Sequence, residues 1–183
     1  DITTPASDAP LHFALSPDGR HIVYLASDEG PSRLWLRRLD QTEAKPLAGT
    51  EGASYAFWSP DSRSIAFSTR TALARLDIGG GTPQLLANAV GLATGGSWNA
   101  DGTILFVRQE RGPVFRISAA GGEPVAVTQV EAPRQTGHRL PQFLPDGRHF
   151  LFYALGTPEA AGIYLGSLDG STPTRLTAAD SAG

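Results

Sequence analysis

The sequence contains no cysteine and no methionine. Without thiols there is no disulfide framework and no thiolate metal site. That absence suits an oxidising or a reducing compartment equally. Without methionine, and beginning Asp1-Ile2-Thr3, the chain reads as an excerpt or a processed mature segment. Charge is scarce: 18% of 183 residues are charged and the formal net charge is −3. There is no general basic field for nucleic acid. No apolar run reaches membrane-spanning length, and no signal peptide is visible. Helical patterning is missing as well. Nowhere do apolar residues recur at i, i+3, i+4 and i+7 over three turns, and proline or glycine interrupts the chain throughout. What is plentiful is turn chemistry, with 21 Gly and 14 Pro beside 40% hydrophobic residues. This composition suits a turn-rich all-β domain long enough for a sizeable core.

One stretch recurs four times. It is clearest as Phe13-Ala14-Leu15-Ser16-Pro17-Asp18-Gly19-Arg20-His21-Ile22-Val23-Tyr24, and it returns as FWSPDSRSIAF from Phe57, SWNADGTILFV from Ser97 and QFLPDGRHFLFY from Gln142. Proline presets φ at the first central position of a turn, aspartate bonds its own backbone, and glycine takes the left-handed conformation. Alternating Ile, Val, Tyr and Phe on both sides make the flanks strands. Each copy therefore reads as an antiparallel hairpin. The expected turn residues are Asp18 and Gly19, Asp61 and Ser62, Asp101 and Gly102, and Asp146 and Gly147. Ser62 stands where the others have glycine. A left-handed Ser62 costs on the order of 1 kcal/mol, so Ser62→Gly is expected to be neutral or stabilising.

The turn aspartates are spaced by 43, 40 and 45 residues. Periods of roughly 40–45 residues holding four strands are those of propeller blades. A third strand is expected at Leu34–Asp40, Leu73–Asp77, Val114–Ser118 and Ile163–Asp169. A short fourth is expected at Lys45–Leu47, Pro83–Leu86, Glu123–Val127 and Thr174–Thr177. Gly79-Gly80-Gly81, Gly121-Gly122 and Asp169-Gly170 mark the turns between them. The expected fold is an all-β propeller of four-stranded antiparallel blades, at about 11–49, 54–88, 96–129 and 141–177. Residues 1–10 read as a linker or partial strand, 130–140 as a crossover and 178–183 as a tail. Leu15, Trp58, Trp98 and Phe143 form an aligned column before the turns and are assigned to packing between blades.

These elements, SPDGRHIVYLAS, LWLRRLD, GGTPQLL, GGEPVAVT and DGSTPTRLT, resemble the TolB-like (WD-like) β-propeller repeat from Leu11 to Thr177. The wording LWLRRLD…AKPLAGTEGASYAFWSPDSRSIAF and QFLPDGRHFLFY is similar to the subgroup found C-terminal to bacterial serine/threonine protein kinase domains. That resemblance implies a non-catalytic sensing or interaction module outside the cytoplasm, binding a protein or small molecule and needing no cofactor. Two other roles use such propellers: the gate of a prolyl oligopeptidase-like peptidase, and a TolB-type periplasmic scaffold. TolB-like propellers generally have six or more blades. Four blades are therefore expected to be part of a larger propeller whose further blades lie outside this sequence, or to be completed by a second copy, since an open stack would expose apolar edges and favour a homodimer.

Propellers bind ligands around the central channel and on loop faces. The polar candidates there are His138 and Arg139, with Arg134, Arg108, Arg111 and Arg70, and the acids Asp28, Glu29, Glu51 and Glu110. None forms a metal-spaced set with His12, His21 or His149, and the last two share one repeat position. No nucleophile elbow or Ser-His-acid set is present. No catalytic residue and no metal ligand is assigned.

Overall fold

A computed structural model describes residues 12–27, 30–88, 95–109 and 111–178. Asp28, Glu29, Glu110, Leu11, the segment 1–10 and the tail beyond residue 178 lie outside the described residues. Among the described residues there are sixteen strands and no helix. Blade one holds β1 (Phe13–Leu15), β2 (His21–Ala26), β3 (Arg33–Arg38) and β4 (Ala44–Pro46). Blade two holds β5 (Tyr55–Trp58), β6 (Ser64–Ser68), β7 (Ala72–Asp77) and β8 (Gln84–Asn88). Blade three holds β9 (Gly96–Trp98), β10 (Thr103–Val107), β11 (Val114–Ser118) and β12 (Val125–Ala126). Blade four holds β13 (Gln135–Phe143), β14 (His149–Gly156), β15 (Gly162–Ser167) and β16 (Thr174–Thr177). Each blade is a four-stranded sheet in which consecutive strands pair, and all the pairings are antiparallel.

The hairpin turns close as their residues dictate. Gly19, Ser62, Gly102 and Gly147 all have positive φ. The backbone N–H of each donates to the carbonyl three residues earlier. A side chain then finishes each turn. Ser16 Oγ accepts from His21 N at 2.8 Å, Ser59 Oγ from Ser64 N at 2.9 Å, and Asn99 Oδ1 from Thr103 N at 2.8 Å. Blade four has Leu144 at that position, and there Asp146 accepts from both Arg148 N and His149 N.

Alternation within each strand gives every blade two faces. Val23, Leu25 and Leu34 of blade one pack on Trp58, Ile65 and Phe67 of blade two. Phe57 and Leu73 of blade two pack on Ile104, Phe106 and Ile117 of blade three. Leu105 and Val114 of blade three pack on Phe150, Phe152 and Ala154 of blade four. We call these the following face of one blade and the preceding face of the next. Each junction is a dry core in which a fully buried aliphatic or aromatic side chain contributes about 1.5–3 kcal/mol. Among the described residues, no such core joins blade four back to blade one.

Side chains also stitch the blades along their inner strands. Trp58 Nε1 donates to Ala14 O at 3.0 Å, and Phe143 N donates to Ser97 Oγ at 3.0 Å. Asn99 Nδ2 donates to Gly147 O at 2.7 Å. Asp18 N donates to Ser62 Oγ at 3.0 Å.

The last bond alters the expectation for Ser62. The residue is left-handed, with φ 60°, so glycine relieves strain of about 1 kcal/mol. Its hydroxyl also fastens the turn of blade one, a bond worth about 1 kcal/mol. The two terms cancel, and Ser62→Gly should unfold in urea within about 0.5 kcal/mol of the parent. Ser62→Ala keeps the strain and loses the bond, so it should cost about 1 kcal/mol. Equal midpoints for parent and Ser62→Ala would rule out the stitch.

Three expectations need correcting. Leu15 does not pack between blades: it is 56% exposed, because no described blade stands before blade one. Trp58 is buried, while Trp98 and Phe143 are half-buried against the junction cores. Blade four does not begin at Pro141, since β13 reaches back to Gln135. Its partner β14 is long enough to pair with the extension, and register shifts occur between Gln135 and Gly137 and between Arg139 and Gln142. Pro141 sits in the second irregularity, beside Leu140 at φ 52°. A bulge is a place where a strand tolerates proline. The fourth strand of blade three is also shorter than expected, covering Val125–Ala126 alone.

Candidate functional site

The extension of β13 decides the fate of His138. On a loop it would face the channel mouth. On β13 it pairs with Ala154 and turns toward blade three. It is 1% exposed, with its ring 4.6 Å from that of Phe152. Thr128 Oγ1 accepts from Val114 N at 2.9 Å, so the hydroxyl proton is free to donate to His138 Nδ1, 2.8 Å away. The other ring nitrogen, Nε2–H, then donates to Gln135 Oε1 at 3.1 Å. Both nitrogens are satisfied by a neutral ring, and burial pushes the imidazole pKa down to about 4. His138 is thus a core residue that ties blade three to blade four, and the assignment of a surface ligand site to it is corrected.

The arginines are dispersed. Arg70 is exposed in the turn between β6 and β7. The Arg108 guanidinium lies 5.5 Å from the centre of the Phe115 ring. Arg134 pairs with Glu131 at 3.4 Å, both exposed. Arg139 stands opposite Tyr153 on the following face of blade four. His21 and His149 share a repeat position but not a partner. The His21 ring lies 6.0 Å from Trp58, and His149 Nδ1 meets Asp146 Oδ2. Hydrogen bonds from the His149 side chain and backbone hold Asp146 well down, to about 2. Asp18 and Asp61 are lowered by the serine hydroxyls that donate to them. Among the described residues no group of three or more His, Asp or Glu side chains could hold a metal ion.

The structure instead opens a cleft at the hairpin-turn end of the junction between blades two and three. It encloses about 520 Å³ and is lined by Ser59, Asp61, Ser64, Arg75, Trp98 and Asn99 among others. Its cause is local. Position 64 is serine where blades one and four carry His21 and His149, so no imidazole fills the space beside Trp98. The Arg75 guanidinium comes 5.6 Å from the indole centre and pairs with Asp77 at 3.0 Å. Hydrogen bonds from Ser64 and then Arg75 lower the Asp77 carboxyl. The hydroxyls are committed: Ser59 Oγ donates to Asp61 at 2.6 Å, and Ser64 Oγ donates to Asp77. The cleft offers a flat aromatic surface between a cation and a carboxylate. That suits binding a small polar or aromatic group, and none of its serines is held by a base. The sequence carried one signal for it, a serine at the repeat position where blades one and four carry histidine.

No protein-family model matches the chain, and no curated protein matches it. Solved structures do. A putative TolB from Agrobacterium tumefaciens superposes with TM-score 0.72 at 23% identity, over 93% of this chain and 62% of that one. The fold is that of β-propeller blades. An oligogalacturonate lyase from Vibrio parahaemolyticus gives TM-score 0.69 at 16% identity, over 93% of this chain and 52% of that one. A puromycin hydrolase gives 0.67 at 21% identity, over 93% and 29%. The chain thus spans less than two thirds of the length of each. Likeness at these identities fixes architecture and leaves chemistry to the site.

Proposed function

We propose that this TolB-like propeller is a non-catalytic interaction module, the sensing region of a bacterial serine/threonine protein kinase held outside the cytoplasm. The observation that carries the interaction role is the cleft between blades two and three, where Arg75, Trp98 and Asp61 face a volume of about 520 Å³. That volume is within the range of small-molecule sites, roughly 300–1,000 Å³. The kinase association is supported by the wording of the repeats, LWLRRLD and QFLPDGRHFLFY above all. Association with a second copy belongs to the same reading. A peptidase gate and a periplasmic scaffold share the blade architecture, so the flanking coding sequence separates them. A kinase domain and membrane segment upstream supports this reading. A hydrolase domain downstream, or a signal peptide with a small N-terminal domain, overturns it.

The cleft is tested by a thermal-shift screen of small polar and aromatic compounds. A ligand at a hundred times its Kd stabilises by about 2.7 kcal/mol. For a chain of this size that is a rise of roughly 5–10 °C. The shift should vanish in Arg75→Ala and in Trp98→Leu. A hit that survives both substitutions, or a hydrolytic or lyase activity abolished by changing a residue of this chain, would refute the proposal.

A further inference from the structure

The cleft beside Trp98 lies at a repeat position that the molecule fills elsewhere with its own imidazole. Two junctions bring a tryptophan to that position, Trp58 at the first and Trp98 at the second. At the first, the His21 ring lies 6.0 Å from that of Trp58, with the planes tilted by 37°. Asp18, in the turn before His21, is lowered by the Ser16 hydroxyl, then by the Arg20 amide, and also by the nearby imidazole. Blade four makes the contact between acid and ring directly, His149 Nδ1 to Asp146 Oδ2. A turn carboxylate, a ring nitrogen and an indole face thus form one recurring set. At the second junction the carboxylate and the indole remain, as Asp61 and Trp98, and both line the cleft. In place of the ring stands Ser64, whose hydroxyl donates to Asp77.

The charges of the cleft favour a cation. Arg75 pairs with Asp77 at 3.0 Å, so these two cancel. Arg75 also holds the register position of Leu36, which packs against the first core beside Trp58. Its guanidinium plays the same part for Trp98, 5.6 Å from the indole centre. Asp61 is held ionised by the Ser59 hydroxyl at 2.6 Å and by Arg63 N at 3.1 Å, and both of these donate to Oδ1. A planar nitrogen cation is attracted to an indole face and to a carboxylate at once. We infer that the cleft takes a small ligand bearing such a group, an imidazolium, amidinium or guanidinium, set against Trp98 with its N–H groups on Asp61. The ligand then repeats the contact of His149 with Asp146 and the approach of His21 to Trp58. At about 520 Å³ the cleft exceeds a single ring and leaves room for a substituent.

This inference rests on the cleft proposed above, and a matched set of probes tests it separately. Benzamidine, benzamide and benzoate share a ring and differ in charge. Calorimetric titration of the purified chain at neutral pH should show benzamidine binding, benzamide weaker by about tenfold or more, and benzoate weaker still. Asp61→Asn should remove the advantage of benzamidine over benzamide. Ser64→His supplies the ring from the chain itself, so it should block benzamidine with a melting temperature near the parent's. Failure of benzamidine to bind, an equal affinity for benzamide, or undiminished binding to both variants would overturn the assignment. A screen that yields only neutral or anionic ligands, lost in Arg75→Ala and Trp98→Leu, would likewise overturn it and leave the cleft standing.

Discussion

Phe152→Ala should destabilise the protein by about 3–5 kcal/mol, the cost of emptying a well-packed aromatic site. Phe152 is 2% exposed at the junction of blades three and four. Its ring lies 4.6 Å from His138, 5.6 Å from Tyr164 and 5.9 Å from Phe150. Three rings cannot collapse into the space of a fourth without leaving their rotamers, so most of the cavity remains. Domains have about 5–15 kcal/mol in total, so the loss is a large fraction of the whole. Urea unfolding should show a much lower midpoint at unchanged slope. Phe13→Ala is the control. Phe13 is just as aromatic but exposed, and its loss from the isolated chain should stay within about 0.5 kcal/mol. Comparable losses for the two would mean that the third junction is not a dry core.

Acidification from pH 7 to pH 5 should cost about 2 kcal/mol, and His138 is the cause. In the native state burial holds the imidazole pKa at about 4, against about 6.5 for a free imidazole. Above pH 6.5 the ring is neutral folded or unfolded and there is no penalty. Between 6.5 and 4 the unfolded chain takes up a proton that the native ring refuses, and stability falls by up to 1.36 kcal/mol per pH unit. The loss is complete, at about 3 kcal/mol, only below pH 4. The lowered carboxylates act in a different window. Their contribution is present above the ordinary carboxylate pKa and fades as pH falls toward their own values, such as about 2 for Asp146. The interval from 7 to 5 therefore separates His138 from the lowered carboxylates. His138→Gln should be less stable at pH 7 and show a nearly flat stability between pH 7 and 5. An unchanged slope in that variant would show that another group titrates there.

Much of the architecture was legible because it is written in local chemistry. A Pro-Asp-Gly turn between alternating strands has one good solution, and its return at 43, 40 and 45 residues sets one four-stranded sheet per period. What was not legible depended on neighbours in space. Leu15 aligns with Trp58 in sequence, but burial needs a blade on the other side. His138 falls in the segment 130–140, which reads as a crossover before blade four. Only the length of β14 shows that pairing continues into it. The cleft was hidden for the opposite reason, being made by a side chain that is too small. Ser64 is an ordinary strand serine until the ring of His21 beside Trp58 shows what is missing.

The uniform handedness of the junctions bears on how such a chain changes length. Because each blade offers one kind of surface forward and the other backward, cutting out or duplicating a whole period brings matching surfaces together at the scar. A gain or loss of a single residue within a strand would reverse its alternation and turn an apolar row to solvent. Whole-unit duplication is thus the cheap way to add or remove a blade, and change within a unit is constrained mainly by the two surfaces it must keep facing its neighbours.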